Sequence, residues 1–150
     1  MFGFDEDTPV LTKIETIYGY LCETVTYDKV RAKNPYNTER HTAYYALCKH
    51  AATCQGFCTA LYRLLREAGV NCRIVTGEAE NEALHAWVIA EENGLYYLLD
   101  PTWDAGNEDG YRYFMIGTKE DNGTHTPGEA FCSPAFQEAY PMAEESLRHS

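Results

Sequence analysis

Positive charge is scarce in this chain. Its 150 residues carry 12 Lys and Arg against 23 Asp and Glu, which gives a formal net charge of −11. No segment collects the lysines and arginines into a basic patch, and an acidic surface is repelled by phosphate groups. The composition therefore argues against nucleic acid and against anionic membrane surfaces as partners.

Long hydrophobic runs, internal repeats and low-complexity tracts are also missing. A membrane-spanning helix needs about 20 consecutive apolar residues, so no membrane span is predicted. The acidic residues 1–7 lack the apolar stretch of a signal peptide. We therefore expect a cytoplasmic chain by default, and a secreted one only if a segment outside it directs export. The length and the 45% hydrophobic content are typical of one globular domain, predicted to span 1–150.

The cysteines do not follow the spacing of a small disulfide-stapled domain. An even number of them raises the question of disulfides, and free thiols are favoured over at least one bridge because a chain of this length needs no staple. A zinc site would have to use Cys48, His50, Cys54 and Cys58. These residues lack the paired spacing of structural zinc sites, so no metal is predicted. The six cysteines are Cys22, Cys48, Cys54, Cys58, Cys72 and Cys132.

Helical patterns occupy the first half of the chain. Apolar residues at helical spacing predict a helix over about 9–25, with Thr8 as its N-cap. A second apolar stripe predicts a helix over 54–68, closed by Gly69. Residues 44–47 also fit a short helix.

Strand patterns follow the second helix. They predict strands over 72–76, 83–90, 95–100 and 111–115. This order is typical of an α+β fold with an antiparallel sheet and not of βαβ units. We expect the core to span about 9–118 and residues 119–150 to form a C-terminal tail, with a short helix near 134–146 that Pro141 interrupts.

The hairpin between the second and third predicted strands brings a histidine near a carboxylate. If residues 91–94 form its loop, His85 lies directly opposite Asp100, where Cβ atoms are about 4.5–5.5 Å apart. If only Asn93 and Gly94 form the turn, Asp100 lies opposite Trp87, and His85 is a diagonal neighbour of Asp100 on the same face. The four-residue loop suits a hydrogen bond better, but either register leaves the two side chains as neighbours.

Cys54 stands at the predicted N-terminus of the second helix. Free N–H groups and the helix dipole favour a thiolate there, and a histidine held by a carboxylate needs such a nucleophile to complete a triad. The same N–H groups could donate to an oxyanion, and Gly56 leaves room for a substrate to approach. Cys58, one turn further along the same face, is the weaker candidate and is expected to pack in the core.

Three sequence blocks resemble the bacterial transglutaminase-like domain. They are Ala52-Thr53-Cys54-Gln55-Gly56-Phe57, His85-Ala86-Trp87 and Leu99-Asp100-Pro101-Thr102-Trp103-Asp104. With flanking matches at Tyr27-Asp28 and Tyr44-Tyr45, the resemblance covers about residues 12–118. It implies an α+β, papain-like fold in which the nucleophile begins a central helix packed on an antiparallel sheet.

The resemblance also implies residue roles. It makes Cys54 the nucleophile, His85 the general base and acid, and Asp100 the residue that orients His85. The candidates for contact with substrate or an oxyanion are Gln55, Gly56, Trp87 and Trp103. The remaining histidines, for which the sequence indicates no role, are His41, His50, His125 and His149.

The function implied is acyl transfer through a thioester. We predict a cofactor-free thiol enzyme that cleaves or transamidates glutamine side chains or peptide bonds of a peptide or protein, with a primary amine as the acceptor if it transamidates. Two alternatives stay open. One is a domain that has lost activity and binds peptides, and the other is a metal-binding module that uses the four residues of the zinc hypothesis.

Overall fold

The structure is a computed structural model that describes residues 2–27, 51–80, 83–107 and 110–147. Its helices are α1 Val10–Thr24, α2 Cys54–Glu67, α3 Pro101–Asp104, α4 Thr118–Asp121 and α5 Pro134–Ala139. Its strands are β1 Thr26–Tyr27, β2 Ala51–Ala52, β3 Cys72–Ala79, β4 Leu84–Glu92, β5 Leu95–Leu99 and β6 His125–Pro127. The short helix predicted at 44–47, and Cys48 and His50 of the zinc hypothesis, lie outside the described residues.

The fold combines helices with an antiparallel sheet, as predicted. The main sheet has the strand order β5-β4-β3-β6 with every pair antiparallel, and β1 and β2 form a separate parallel pair. The α+β prediction is confirmed.

Alternate residues of β4 face two different apolar clusters. Ala86, Val88 and Ala90 belong to the larger core, where α1 and α2 cover the sheet. Trp87 and Ile89 belong to a smaller cluster on the other face. Aromatic and aliphatic residues of the C-terminal segment pack on that second cluster, namely Phe131, Phe136, Tyr140 and Met142.

The β4–β5 hairpin turns on two residues. Asn93 has φ 53° and Gly94 has φ 87°, the positive values that a type I′ turn requires at both central positions. Val88 then pairs with Leu99. The favoured four-residue loop is wrong and the two-residue alternative is right, because an Asn-Gly turn matches the twist of the strands and lets both continue to its edge.

The N-cap of helix α1 is Pro9, not Thr8, and Pro9 makes no side-chain capping bond. The hydroxyl of Thr8 instead accepts from the backbone N–H of Asp5 at 3.0 Å and donates to the Asp5 carboxylate at 3.1 Å. The prediction of Thr8 as N-cap is therefore wrong, since its oxygen is used in the preceding turn.

The strand predicted at 111–115 does not form. The backbone N–H groups of Arg112 and Tyr113 donate to the carboxylate of Asp104, each at 2.9 Å, in place of a neighbouring strand. Met115 has φ 49°, which breaks an extended backbone. An isolated bridge between Ile116 and Leu98 follows this segment, and the Tyr113 carbonyl accepts from the Asp100 N–H.

The segment after residue 118 contributes a strand to the sheet. Strand β6 pairs with β3 through Gly77–Pro127, Glu78–Thr126 and Ala79–His125. A Cβ added at Gly77 would lie 2.0 Å from the carbonyl oxygen of Thr126, so only glycine permits this approach. Helix α5 matches the first part of the helix predicted near 134–146.

The described cysteines are all free thiols: Cys22, Cys54, Cys58, Cys72 and Cys132. Burial raises the pKa of the Cys72 thiol to about 12. Within the described part of the chain, no helix has both the length and the apolarity to cross a membrane.

Candidate active site

Helix α2 presents Cys54 as its first residue. Thr53 is the N-cap, and its side chain accepts from the Gly56 N–H at 3.5 Å. Cys54 is half-buried at this helix end, whereas Cys58 is fully buried one turn below. Burial, followed by the nearby charges of Asp100 and Cys54, raises the pKa of Cys58 well above its ordinary value, as expected for a packed thiol.

A hydrogen bond joins the start of β4 to the end of β5. Nε2 of His85 lies 2.7 Å from Oδ2 of Asp100. Asp100 is fully buried and is the N-cap of α3, where its Oδ1 accepts from the Trp103 N–H at 3.3 Å. The backbone N–H of Asp100 donates to the Tyr113 carbonyl at 2.9 Å. Hydrogen bonds therefore hold both carboxylate oxygens of Asp100 and its backbone N–H in place.

Cys54 is within hydrogen-bonding reach of the same imidazole. Burial lowers the pKa of His85, but its hydrogen bonds to Asp100 and Cys54 outweigh burial and raise that pKa to about 9. Since Nε2 is occupied by Asp100, Nδ1 is the nitrogen left to face the sulfur. The structure thus brings Cys54, His85 and Asp100 together.

His125 is a further site residue that sequence reasoning missed. Its Nε2 lies 2.7 Å from Oδ2 of Asp100, the same oxygen that His85 contacts, and its Nδ1 lies 2.5 Å from Oδ1 of Asp121. No local signal marks it, because β6 has only three residues and the surrounding sequence is polar. Its position depends on the pairing of β6 with β3.

Aromatic rings surround the two histidines. Trp103 stacks on His85 with ring centroids 4.7 Å apart and planes 10° from parallel. Trp87 meets His125 edge-on at 4.8 Å, and Tyr113 packs against Trp103 at 5.0 Å. These contacts hold the imidazole planes and keep water from the Asp100 carboxylate.

An open cleft of about 800 Å³ runs past Cys54 and His85. Gln55 lines it, whereas Gly56 is buried in the first turn of α2. Trp87 does not line this cleft and instead lines a separate cavity of about 560 Å³. The cleft has acidic side chains, Glu78 and Glu129, on its walls.

Ligand atoms of His85, Asp100 and His125 lie within 4.8 Å of one another, close enough to be considered for a metal. Their geometry fits hydrogen bonds better. Ligand atoms on a tetrahedral zinc, with bonds of about 2.0–2.1 Å, are roughly 3.4 Å apart, but each histidine nitrogen here is 2.7 Å from the carboxylate oxygen.

Comparison with curated proteins finds relatives among peptidases. The chain is 26% identical over 107 residues to Kyphoscoliosis peptidase of Mus musculus and to that of Homo sapiens. Each alignment covers 64% of this chain and 16% of the relative. The chain therefore spans only a small part of the length of these proteins.

Comparison with solved structures finds the same fold in two other proteins. A crystal structure of a TGase superposes with a TM-score of 0.58 at 17% identity, covering 79% of this chain and 33% of that one. A cysteine protease candidate from Cytophaga hutchinsonii superposes with a TM-score of 0.53 at 22% identity, covering 67% and 34%. At these identities the likeness shows the fold.

The family itself is shown by sequence. The profile described as the transglutaminase-like superfamily matches residues 3–101, well over half of the chain, and this match includes Cys54, His85 and Asp100. The resemblance drawn from the three sequence blocks is confirmed at the level of the family, while a bacterial origin stays a prediction. The chain belongs to the transglutaminase-like superfamily.

Proposed function

We propose that this protein is a thiol acyl-transfer enzyme that acts on amide bonds of peptides or proteins, with Cys54, His85 and Asp100 as its catalytic triad. One observation supports this most strongly. Cys54, half-buried at a helix N-terminus, is hydrogen-bonded to the His85 imidazole beside an open cleft. Nε2 of the same imidazole lies 2.7 Å from the fully buried Asp100 carboxylate.

The first half-reaction forms a thioester. The Cys54 thiolate attacks the amide carbonyl carbon, and the electron pair of the C=O bond moves onto oxygen. When that bond re-forms, the C–N bond breaks, and the proton on Nδ1 of His85 goes to the leaving amine. Asp100 accepts from Nε2 throughout, so the imidazole keeps one orientation and one tautomer.

The second half-reaction releases the acyl group. His85 takes a proton from water or from a primary amine, the resulting nucleophile attacks the thioester carbon, and the Cys54 thiolate leaves. No group outside the triad has to supply electrons or protons. Hydrolysis and transamidation differ only in the nucleophile that enters the cleft.

The oxyanion is assigned to the first turn of α2. The N–H of Gly56 already donates to Thr53, so the N–H groups of Cys54 and Gln55 are the donors proposed for the tetrahedral intermediate. Removing one oxyanion donor from such a site costs about 10²–10³ in kcat. The side chain of Gln55, which lines the cleft, is the nearest candidate for a further contact.

The proposed substrates follow from the cleft and from the relatives. The names of the similar proteins include a peptidase and a TGase, and these names favour amide bonds of proteins as the substrate class. Glu78 and Glu129 give the cleft a negative potential, which favours cationic groups next to the reacting amide or a lysine-like amine as acceptor.

Activity is tested with a library of glutamine-containing peptides, by ammonia release and by mass spectrometry of cleaved products. Cys54→Ala should fold and lose at least about 10³ of the turnover, while Cys132→Ala, which changes an exposed thiol, should retain it. Turnover retained by Cys54→Ala would refute the nucleophile. Peptide binding without turnover in the parent protein would support the alternative of a binding module.

A further inference from the structure

The hydrogen-bonded chain does not end at Asp100. It continues from Oδ2 of Asp100 to Nε2 of His125 at 2.7 Å, and from Nδ1 of His125 to Oδ1 of Asp121 at 2.5 Å. The side chain of His125 is 1% exposed and that of Asp100 is fully buried. A second histidine therefore stands behind the proposed triad, clamped between two carboxylates.

The number of hydrogen-bond donors fixes the charge of His125. Ionised carboxylates only accept hydrogen bonds, and a neutral imidazole has a single N–H. Asp121 also accepts from the Thr124 hydroxyl at 2.6 Å and from the His125 backbone N–H at 3.2 Å, which favours its ionised form. The Thr124 hydroxyl also lies 3.0 Å from Nδ1 of His125, but its single hydrogen is used in the shorter bond to Asp121. Nδ1 must then supply the proton of its own bond to Asp121. With Nε2 donating to Asp100, both nitrogens of His125 carry protons, and the ring is an imidazolium.

We propose that His125, held by Asp121, is a positioning residue that carries a lasting positive charge beside Asp100 and so sets the orientation and basicity of His85. This inference rests on the proposed function, since it assigns a second layer to that triad. His125 does not line the cleft that runs past Cys54, so it would act through Asp100 and not on the substrate.

Two effects follow from such a cation. His125 and His85 share one carboxylate oxygen, so Asp100 cannot rotate without breaking both bonds. His125 also neutralises a buried charge that would otherwise act fully on His85, because buried charges interact strongly. His85 can then release its proton to a leaving amine more readily than if Asp100 were paired with it alone.

Burial acts in the same direction on several ionisable groups near Asp100. Burial raises the pKa of Tyr18 and of Cys58, so both stay protonated. Burial, partly offset by three hydrogen bonds, raises the pKa of Asp104. The charged and titratable groups that face this cluster are Tyr18 of α1, Cys54 and Cys58 of α2, His85 of β4, Asp104 of α3, Tyr113 and Asp121.

Nuclear magnetic resonance tests the charge directly. Long-range proton–nitrogen spectra of the parent protein at pH 6 to 8 should show both ring nitrogens of His125 at imidazolium shifts, with assignment by loss of these signals in His125→Gln. A neutral His125 ring at pH 7 would overturn the inference whatever the activity of the protein.

Two variants separate charge from orientation. Asp121→Asn leaves Nε2–H to donate to Asp100 but lets Nδ1 of His125 accept from the amide, so the ring becomes neutral. His125→Gln removes the imidazole. In both, kcat should fall by about tenfold or more with KM changed by less than about twofold, and the pH at which His85 loses its proton should rise.

The rate of Cys54 alkylation against pH distinguishes this inference from the proposed function. If Cys54 in the parent protein reacts no faster than an ordinary thiol, the proposed function fails, while an imidazolium His125 in the spectra still supports the charge assignment. If Cys54 reacts fast and neither variant changes kcat or the pH profile, the triad stands and the positioning role of His125 is refuted. Asp5→Asn, an exposed carboxylate, is the control for general charge effects.

Discussion

Asp100 is the residue on which the elements of the site converge. Its carboxylate contacts His85 from β4 and His125 from β6, and it caps α3 through the Trp103 N–H. Burial raises the pKa of Asp100, but the hydrogen bonds from the two histidines outweigh burial and lower it. This buried anion is stable because every oxygen has a donor.

The pH dependence of stability should report the pairing of His85. Its folded-state pKa of about 9 lies above the ordinary value of about 6.5. A raised pKa stabilises the fold fully below pH 6.5, and the contribution is lost as pH rises through 9. The free energy of unfolding should therefore fall between these pH values, and fall less in His85→Gln.

Urea denaturation at pH 6, 7, 8 and 9 gives this slope for the parent protein and the variant. The contribution of cysteine titration to the slope cancels in this comparison, because both proteins have the same thiols. Identical slopes in the two proteins would show that His85 does not gain a proton on folding.

At the residue scale, part of the site could be predicted from sequence. One local signal is a cysteine at the start of a helix, and another is a histidine and an aspartate on the same face of one hairpin. The structure brings these residues, Cys54, His85 and Asp100, together. Their catalytic roles stay predictions. His125 could not be found, because its partner Asp100 is 25 residues away and no periodicity places β6 on the sheet.

At the scale of elements, the close approach of β6 to β3 depends on one glycine. Gly77 pairs with His85 on one side and with Pro127 on the other. It therefore connects the strand that carries His85 to the strand that begins with His125. The helices and the strands β3 to β5 follow from apolar spacing, whereas β6 follows only from this tertiary contact.

Gly77→Ala should lower stability and detach β6. The new Cβ would meet the Thr126 carbonyl at 2.0 Å, a backbone clash that β6 can relieve only by moving, at a cost of about 1–3 kcal/mol. Urea denaturation measures the loss, and weaker hydrogen-exchange protection of residues 125–127 locates it.

Gly19→Ala is the matched control for this substitution. Gly19 lies inside α1, and its added Cβ would make only an ordinary contact, 3.5 Å from the Tyr111 hydroxyl. Alanine should stabilise the helix by about 0.5–1 kcal/mol. An unchanged stability for Gly77→Ala would contradict the proposed tight fit of β6.

In the β4–β5 hairpin, the strand register was harder to predict than the proximity of His85 to Asp100. Strand parity alone required His85 and Asp100 to share a face, and both registers preserved that. The length of the turn depended on Asn93 and Gly94 adopting positive φ values, which competed with an equally polar four-residue loop. The strand expected at 111–115 failed for a different reason, since the Asp104 carboxylate takes its backbone donors.

At the scale of the whole molecule, the site is assembled from distant parts of the chain. The sulfur comes from α2, the imidazole from β4, the carboxylate from the end of β5 and the second imidazole from β6. The segment after residue 118, set apart from the core by sequence, covers one face of the sheet with Phe131, Phe136 and Met142. The reactive pair therefore exists only in the folded chain.

The most direct test of the central claim is the rate of alkylation of each cysteine by iodoacetamide at pH 6, followed by peptide mass spectrometry. A thiolate paired with His85 predicts that Cys54 is labelled well before the exposed Cys132, and that His85→Gln or unfolding in urea removes this lead. Labelling of Cys54 at the rate of Cys132 in the folded parent protein would contradict the account.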